Sequence, residues 1–186
     1  MQTISLPEIL IPDAVTETPL GKITVPGLKI AARLAVVEPE TVKKLIEAAR
    51  LATEGAYHNY STKPFPVGAA AIMADDGEAE IFSAANSEMA VLNAGTCAER
   101  ALLNYVASKG FRRIKYLAVS TPNKDGDISG RSPCGLCRQT IAEFSDENTL
   151  VFLDRGKNGL ADVLDVARLL PYQYRYQNDE GGFDSR

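Results

Sequence analysis

Cysteine is scarce in this chain and histidine scarcer, with three and one among 186 residues. An odd count excludes a closed set of intrachain disulfides, so a cytoplasmic protein with reduced thiols is the economical expectation. Positive charge is short as well. The formal net charge is −4 and the pI is near 5.1, which argues against a protein that lives on nucleic-acid backbone. The densest basic spot, Arg112-Arg113 with Lys115, is brief. No apolar stretch approaches the length of a membrane span, and the N-terminus lacks the basic-then-apolar layout of a signal peptide. The expected partners therefore include neither nucleic acid nor membrane. What the chain does have is core-forming material: 45% hydrophobic residues suit one domain with some chain to spare.

That spare chain lies at the two ends. Prolines at 7, 12, 19 and 26 punctuate residues 1–38, with Pro39 just beyond, and break up any helix or central strand. Short alternating pieces such as Lys22-Ile23-Thr24-Val25 could form edge strands, but a loosely specified extension is the expectation. From residue 39 the pattern turns regular. Pro39 and Thr41 suit a helix start, with Val42, Leu45, Ile46 and Ala49 on one face. FPVGAAAIMADDGEAEIFSAAN predicts two strands about a turn at Asp75-Asp76-Gly77. CAERALLNYVASKG predicts a helix closed by Gly110, IKYLAVST a strand, PCGLCRQTIAEF a helix, TLVFLD a strand, and GLADVLDVARLL a last helix. This order implies a three-layer αβα sandwich around a mixed, mostly parallel sheet. Residues 39–175 would form the working domain, and 176–186 a polar tail.

All three cysteines fall in two short segments, GTCAERALL and RSPCGLCRQTIAEF. Each follows a predicted strand and opens a predicted helix, which brings Cys97 to Cys134 and Cys137 at the strand ends, where open α/β sheets bind ligands. Three protein ligands leave one tetrahedral position free, the layout of a catalytic zinc site. A redox pair is the alternative for CxxC, but it leaves Cys97 and Glu99 without a purpose. His58 has no spacing that recommends it as a fourth ligand. Glu99 stands where its carboxylate could swing over the open position and move protons; its blander role is to complement the helix dipole. Zinc with three thiolates carries net negative charge, which Arg100 and Arg138 could offset from their places beside the cysteines.

CAER at 97–100 followed by SPCGLCRQ at 132–139 resembles the small cytidine deaminases of the three-cysteine, homotetrameric type. AYHNYSTKPFPVGAAA, NSE at 86–88, the eleven-residue step from Asn86 to Cys97, and LLPYQY at 169–174 extend the likeness over roughly residues 40–175. The resemblance implies a cytidine deaminase-like fold with one Zn²⁺ per chain on Cys97, Cys134 and Cys137, and Glu99 as the proton carrier. It also implies Phe65 stacking on the pyrimidine, Asn86 and Glu88 on the ribose hydroxyls, the Ala98 backbone at the base edge, and Tyr174 at the substrate. The implied reaction is hydrolysis of cytidine or deoxycytidine to uridine or deoxyuridine and ammonia, a step of pyrimidine salvage.

The chain departs from the family pattern in four places. Two extra residues around Thr62-Lys63-Pro64 separate Tyr60 from Phe65, Asn59 replaces a usual proline, Leu92 a frequent aromatic, and Tyr174 a terminal phenylalanine. The last change also resembles blasticidin S deaminases, so a modified cytosine nucleoside is an alternative substrate. A catalytically silent zinc scaffold is the alternative of a different class.

Overall fold

A computed structural model of the chain describes residues 1–19, 21–58, 64–122, 132–156 and 161–174. These residues fall into two compact units, Met1–Glu38 and Pro39–Arg186.

The first unit is not loose. Strands β1 (Gln2–Leu6), β2 (Ile9–Ile11), β3 (Ala14–Thr18), β4 (Gly21–Val25), β5 (Leu28–Ile30) and β6 (Arg33–Val37) pair as β1–β6, β2–β5 and β3–β4, all antiparallel. One register runs through all three pairs, with Gln2 opposite Val37, Ile9 opposite Ile30 and Ala14 opposite Val25. The unit is thus a single long hairpin. Pro7, Pro12 and Pro26 sit between the strands, where the ladder is interrupted and a missing N–H costs nothing. The prolines segment the hairpin without preventing it, which corrects the expectation of a loose extension. At one interruption Gly27 is obligatory, because a Cβ there would lie 2.2 Å from the Ile11 carbonyl oxygen.

The second unit opens with α1 (Pro39–Ala52), proline at its first position as the missing N–H allows. Strands β7 (Gly68–Met73) and β8 (Ile81–Ala85) form a hairpin, and α2 (Ala98–Ser108) follows. Then come β9 (Ile114–Ser120), α3 (Gly135–Glu143), β10 (Leu150–Asp154), β11 (Ala161–Leu164) and α4 (Val166–Leu169). The sheet order is β11-β10-β9-β7-β8. Ala69, Ala71, Leu117, Val119, Val151 and Leu153 share the core with Leu102, Leu103 and Val106 of α2 and Ile141 of α3. The alternate strand residues face α1, whose Leu45, Ile46 and Ala49 are buried. Gly68 permits that packing: a Cβ there would sit 1.9 Å from the Ala49 carbonyl oxygen. The predicted three-layer α/β sandwich with a mixed sheet is what forms.

Two details differ from expectation. Only β9 and β10 pair in parallel; β7–β8, β7–β9 and β10–β11 are antiparallel, so the sheet is mixed but not mostly parallel. The helix predicted over 159–170 is replaced by β11 and the one-turn α4. β11 folds back on β10, with Val151 opposite Leu164 and Asp154 opposite Ala161. Asp165 then caps α4 by accepting the Arg168 N–H at 3.0 Å. Strand pairing at an open sheet edge outweighs helix propensity in a stretch whose apolar residues fit either period. The predicted tail 176–186 lies outside the described residues. Among the described residues no helix is long and apolar enough to cross a membrane.

Candidate metal and active site

Strand direction brings the site together. β8 runs antiparallel to β7, and β7 antiparallel to β9, so β8 and β9 end at the same edge. The chain leaving each of them reaches a helix whose residue before the first turn is a cysteine. Cys97 precedes α2 and Cys134 precedes α3, both in extended backbone (φ −72°, ψ 151° and φ −65°, ψ 164°). Neither side chain caps its helix, as serine or aspartate would there, so the sulfurs remain available as ligands. Cys137 lies three residues on, in the first turn of α3, and is fully buried.

The Cys97 and Cys134 sulfurs are 3.9 Å apart, and all three sulfurs lie within 4.8 Å of one another. A tetrahedral zinc with Zn–S of about 2.3 Å requires sulfurs about 3.8 Å apart, so the set fits that ion. Burial pushes the Cys97 and Cys137 thiols up, the Glu99 carboxylate adding to the effect. At Cys134 burial acts the same way but is outweighed by hydrogen bonds from the Cys137 N–H and the neighbouring thiols, which hold it below its ordinary value. Thiols so close and so desolvated need a cation to exist together as thiolates. His58 is not brought to this cluster.

Glu99, in the first turn of α2, is 3% exposed, and burial raises its pKa above the ordinary glutamate value of 4.5. It lines a cleft of about 660 Å³ together with Cys97, Cys134, Phe65, Asn86, Glu88 and Arg100. Most of the predicted site residues therefore meet in one place. Asn86 is more deeply engaged than expected. Its Oδ1 accepts the Val67 N–H at 2.8 Å and its Nδ2 donates to the Phe65 carbonyl at 3.0 Å, so its amide holds the Phe65–Val67 segment. The Glu88 N–H donates to the Tyr57 carbonyl at 2.6 Å, which fixes the neighbouring backbone. Ala98 turns its side chain into the core; as the first residue of α2 its N–H has no intrahelical acceptor.

Two expected residues stand apart from the cleft. Tyr174 is 67% exposed and does not line the cleft. Its backbone is held elsewhere, against Gln139. Arg138 also lies outside the lining and directs its guanidinium to backbone and Ser132. Of the four departures, 59–63 lie outside the described residues, as does the Leu92 side chain.

Comparison with known proteins decides the family. Residues 39–153 match the family model of the cytidine and deoxycytidylate deaminase zinc-binding region. The chain belongs to this family. Among its deaminase relatives, the cytidine deaminase of Sporosarcina psychrophila is 41% identical over 130 residues, covering 70% of this chain and 88% of the relative. That of Halalkalibacterium halodurans is 37% identical over 127 residues, covering 68% and 89%. The crystal structure of cytidine deaminase from Burkholderia pseudomallei superposes with a TM-score of 0.59 at 33% identity, covering 70% of this chain and 97% of that one. The deaminase fold is thus shared, and its zinc-binding region contains all three cysteines.

Sequence reasoning missed part of this deaminase cleft. Val67, Met89, Thr96, Val119, Thr121, Ser132 and Pro133 also line it. Thr121 had a usable signal, since it ends a predicted strand at the ligand-binding edge. The pair of part-exposed Arg50 and buried Asp154 was missed too. Arg50 donates twice to the Asp154 carboxylate, each at 2.7 Å, and Ser120 Oγ donates a third bond at 2.7 Å.

Proposed function

We propose that the chain is a zinc-dependent cytidine deaminase that hydrolyses cytidine or deoxycytidine to uridine or deoxyuridine and ammonia. The observation that carries this reading is the buried Glu99 carboxyl in the cleft wall beside three clustered cysteines. Zinc bound by Cys97, Cys134 and Cys137 supplies Lewis acidity that makes water reactive at neutral pH. The chain's own residues then bind and move protons. Glu99, with its raised pKa, takes a proton from the attacking water and passes it to N3 of cytosine, then takes the remaining proton from the new C4 hydroxyl and gives it to the leaving amine. Phe65 stacks on the pyrimidine, and the Ala98 N–H meets the base edge. Glu88 accepts from the ribose. Asn86 does so with the capacity its clamp leaves spare, because each end of an amide can make two hydrogen bonds. Arg100 lies closest to the role of charge compensation.

Residues 39–175 form the catalytic domain in this reading, and 176–186 a polar tail. The assembly is a homotetramer of D₂ symmetry in the cytoplasm serving pyrimidine salvage, with Tyr174 completing a neighbouring copy's site and residues 1–38 adding to the interface. Light scattering should then give close to four times the 20.1 kDa chain mass. Deleting 1–38 should alter stability more than turnover; a fully active monomer would defeat the assembly.

The intact set of Glu99 and three cysteines speaks against a silent scaffold, and relatives named as cytidine deaminases favour the plain nucleoside over blasticidin S. The test is the purified protein with one equivalent of zinc and a panel of cytosine nucleosides, followed by loss of cytosine absorbance. Turnover of cytidine or deoxycytidine is expected. Zinc retention with no turnover on any of them would reject the assignment.

A further inference from the structure

Arg138 and Gln139 directly follow the ligand Cys137 on α3, and their hydrogen bonds converge on the C-terminal segment and the turn before Cys134. Arg138 Nε donates to the Pro133 carbonyl at 2.9 Å, Nη2 to Ser132 Oγ at 3.0 Å, and Nη1 to the Leu169 carbonyl at 3.3 Å. Gln139 meets the Tyr174 backbone with both ends of its amide, Nε2 to the carbonyl at 2.9 Å and Oε1 from the N–H at 3.0 Å.

Two of the acceptors are also held by packing, Leu169 in the core and Pro133 buried, while Ser132 is exposed. α4 spans only four residues, too few to be stable alone, and its last carbonyls have no intrahelical donor. Ser132 and Pro133 form one wall of the cleft and lead directly into the ligand Cys134. A turn entering a helix through an extended residue can pivot unless something outside the helix fixes it. Three nitrogens of one planar guanidinium fix it here, against the end of α4.

We propose that Arg138 is a positioning residue whose guanidinium fork, with the Gln139 amide beside it, clasps residues 169–174 to α3. The clasp fixes the Ser132–Cys134 turn that carries one metal ligand and one wall of the cleft. This rests on the zinc deaminase reading above. It differs from charge compensation in what it requires: compensation needs only a cation near the thiolates, whereas the clasp needs the fork. Lysine keeps the charge as a compact point and loses the fork.

The test compares Arg138→Lys and Arg138→Gln in the full, zinc-loaded chain. It follows zinc transfer to a chromogenic chelator, and KM and kcat separately. The clasp predicts that both variants release zinc about 10–100-fold faster, the usual range when a ligand's support is lost. KM should rise more than kcat falls. An Arg138→Lys protein with wild-type zinc release and KM would overturn the proposal and leave charge as the residue's role. Loss confined to kcat would overturn it as well. If neither variant folds, Ser132→Ala and Gln139→Leu each remove one end of the clasp; release accelerated severalfold supports it, and wild-type rates overturn it. Should the wild type bind zinc but turn over no cytosine nucleoside, the functional reading fails while the zinc-release comparison still decides the clasp.

Discussion

Asp154 and Glu99 are both buried, 1% and 3% exposed, at the same edge of the sheet but on opposite faces. Asp154 ends β10 on the α1 side, and Glu99 opens α2 on the other. Burial pushes both carboxyls up. At Asp154 that push is more than offset by the Arg50 guanidinium, the Ser120 hydroxyl and the Gly156 N–H, which leave its pKa below the ordinary value of 3.8. At Glu99 its own N–H and the Cys137 thiol are too weak to do the same, and the pKa stays raised. A carboxylate fully satisfied by a cation and two donors is held in one state and serves the fold. One buried without such an ion pair keeps its pKa raised, the condition that the proposed proton transfer needs. In the proposed reading the two faces of one sheet edge separate stability from chemistry.

Glu99→Gln should have the largest effect. It keeps shape and burial but cannot carry a proton, so turnover should fall about 10²–10⁴-fold. Zinc content by elemental analysis should stay near one per chain. Wild-type turnover in this variant would erase the distinction between the carboxylates. Asp154→Ala should act the other way round. It leaves the part-exposed Arg50 guanidinium, the Ser120 hydroxyl and the Gly156 N–H without their carboxylate and costs about 3 kcal/mol of stability, the upper range for unpairing such groups. For a chain of this size that lowers Tm by about 6–12 °C. The folded fraction should keep kcat/KM within a few-fold, and a catalytic loss as deep as that of Glu99→Gln would show that Asp154 belongs to the chemistry.

A subtler difference concerns acid. Because the folded-state pKa of Asp154 is depressed, its stabilisation is present above 3.8 and disappears as pH falls below that value through the folded pKa. The stability gap between wild type and Asp154→Asn should therefore narrow toward pH 3. Urea unfolding of metal-free protein at pH 6 and pH 3 would measure it. A gap of constant width would mean that the ion pair contributes nothing that titrates.

The chain itself announces its cysteine cluster and the glutamate beside it. Cysteines are so few that their placement is informative, and in both segments a strand-like run, a cysteine and a helix period stand in that order. Helix α2 was legible for a local reason, since Leu102, Leu103 and Val106 share a face and Gly110 closes it with φ +98°. The hairpin of residues 1–38 was not, because its prolines argue against strands until partners three to thirty-five residues away show that they fall in the gaps of the ladder. β11 needed β10 beside it to be a strand at all. Arg50 and Asp154 are 104 residues apart, and Arg138 reaches Leu169 across 31, with no motif joining either pair. Residue type and short-range spacing determined the cysteine cluster and the place of Glu99 beside it, because helix starts and ligand sets act within a few residues. Which carboxylate meets a cation, and which loop is tied to the metal helix, only chain closure in three dimensions decided. Those contacts form between residues that have no energetic influence on each other until the sheet and its helices bring them together.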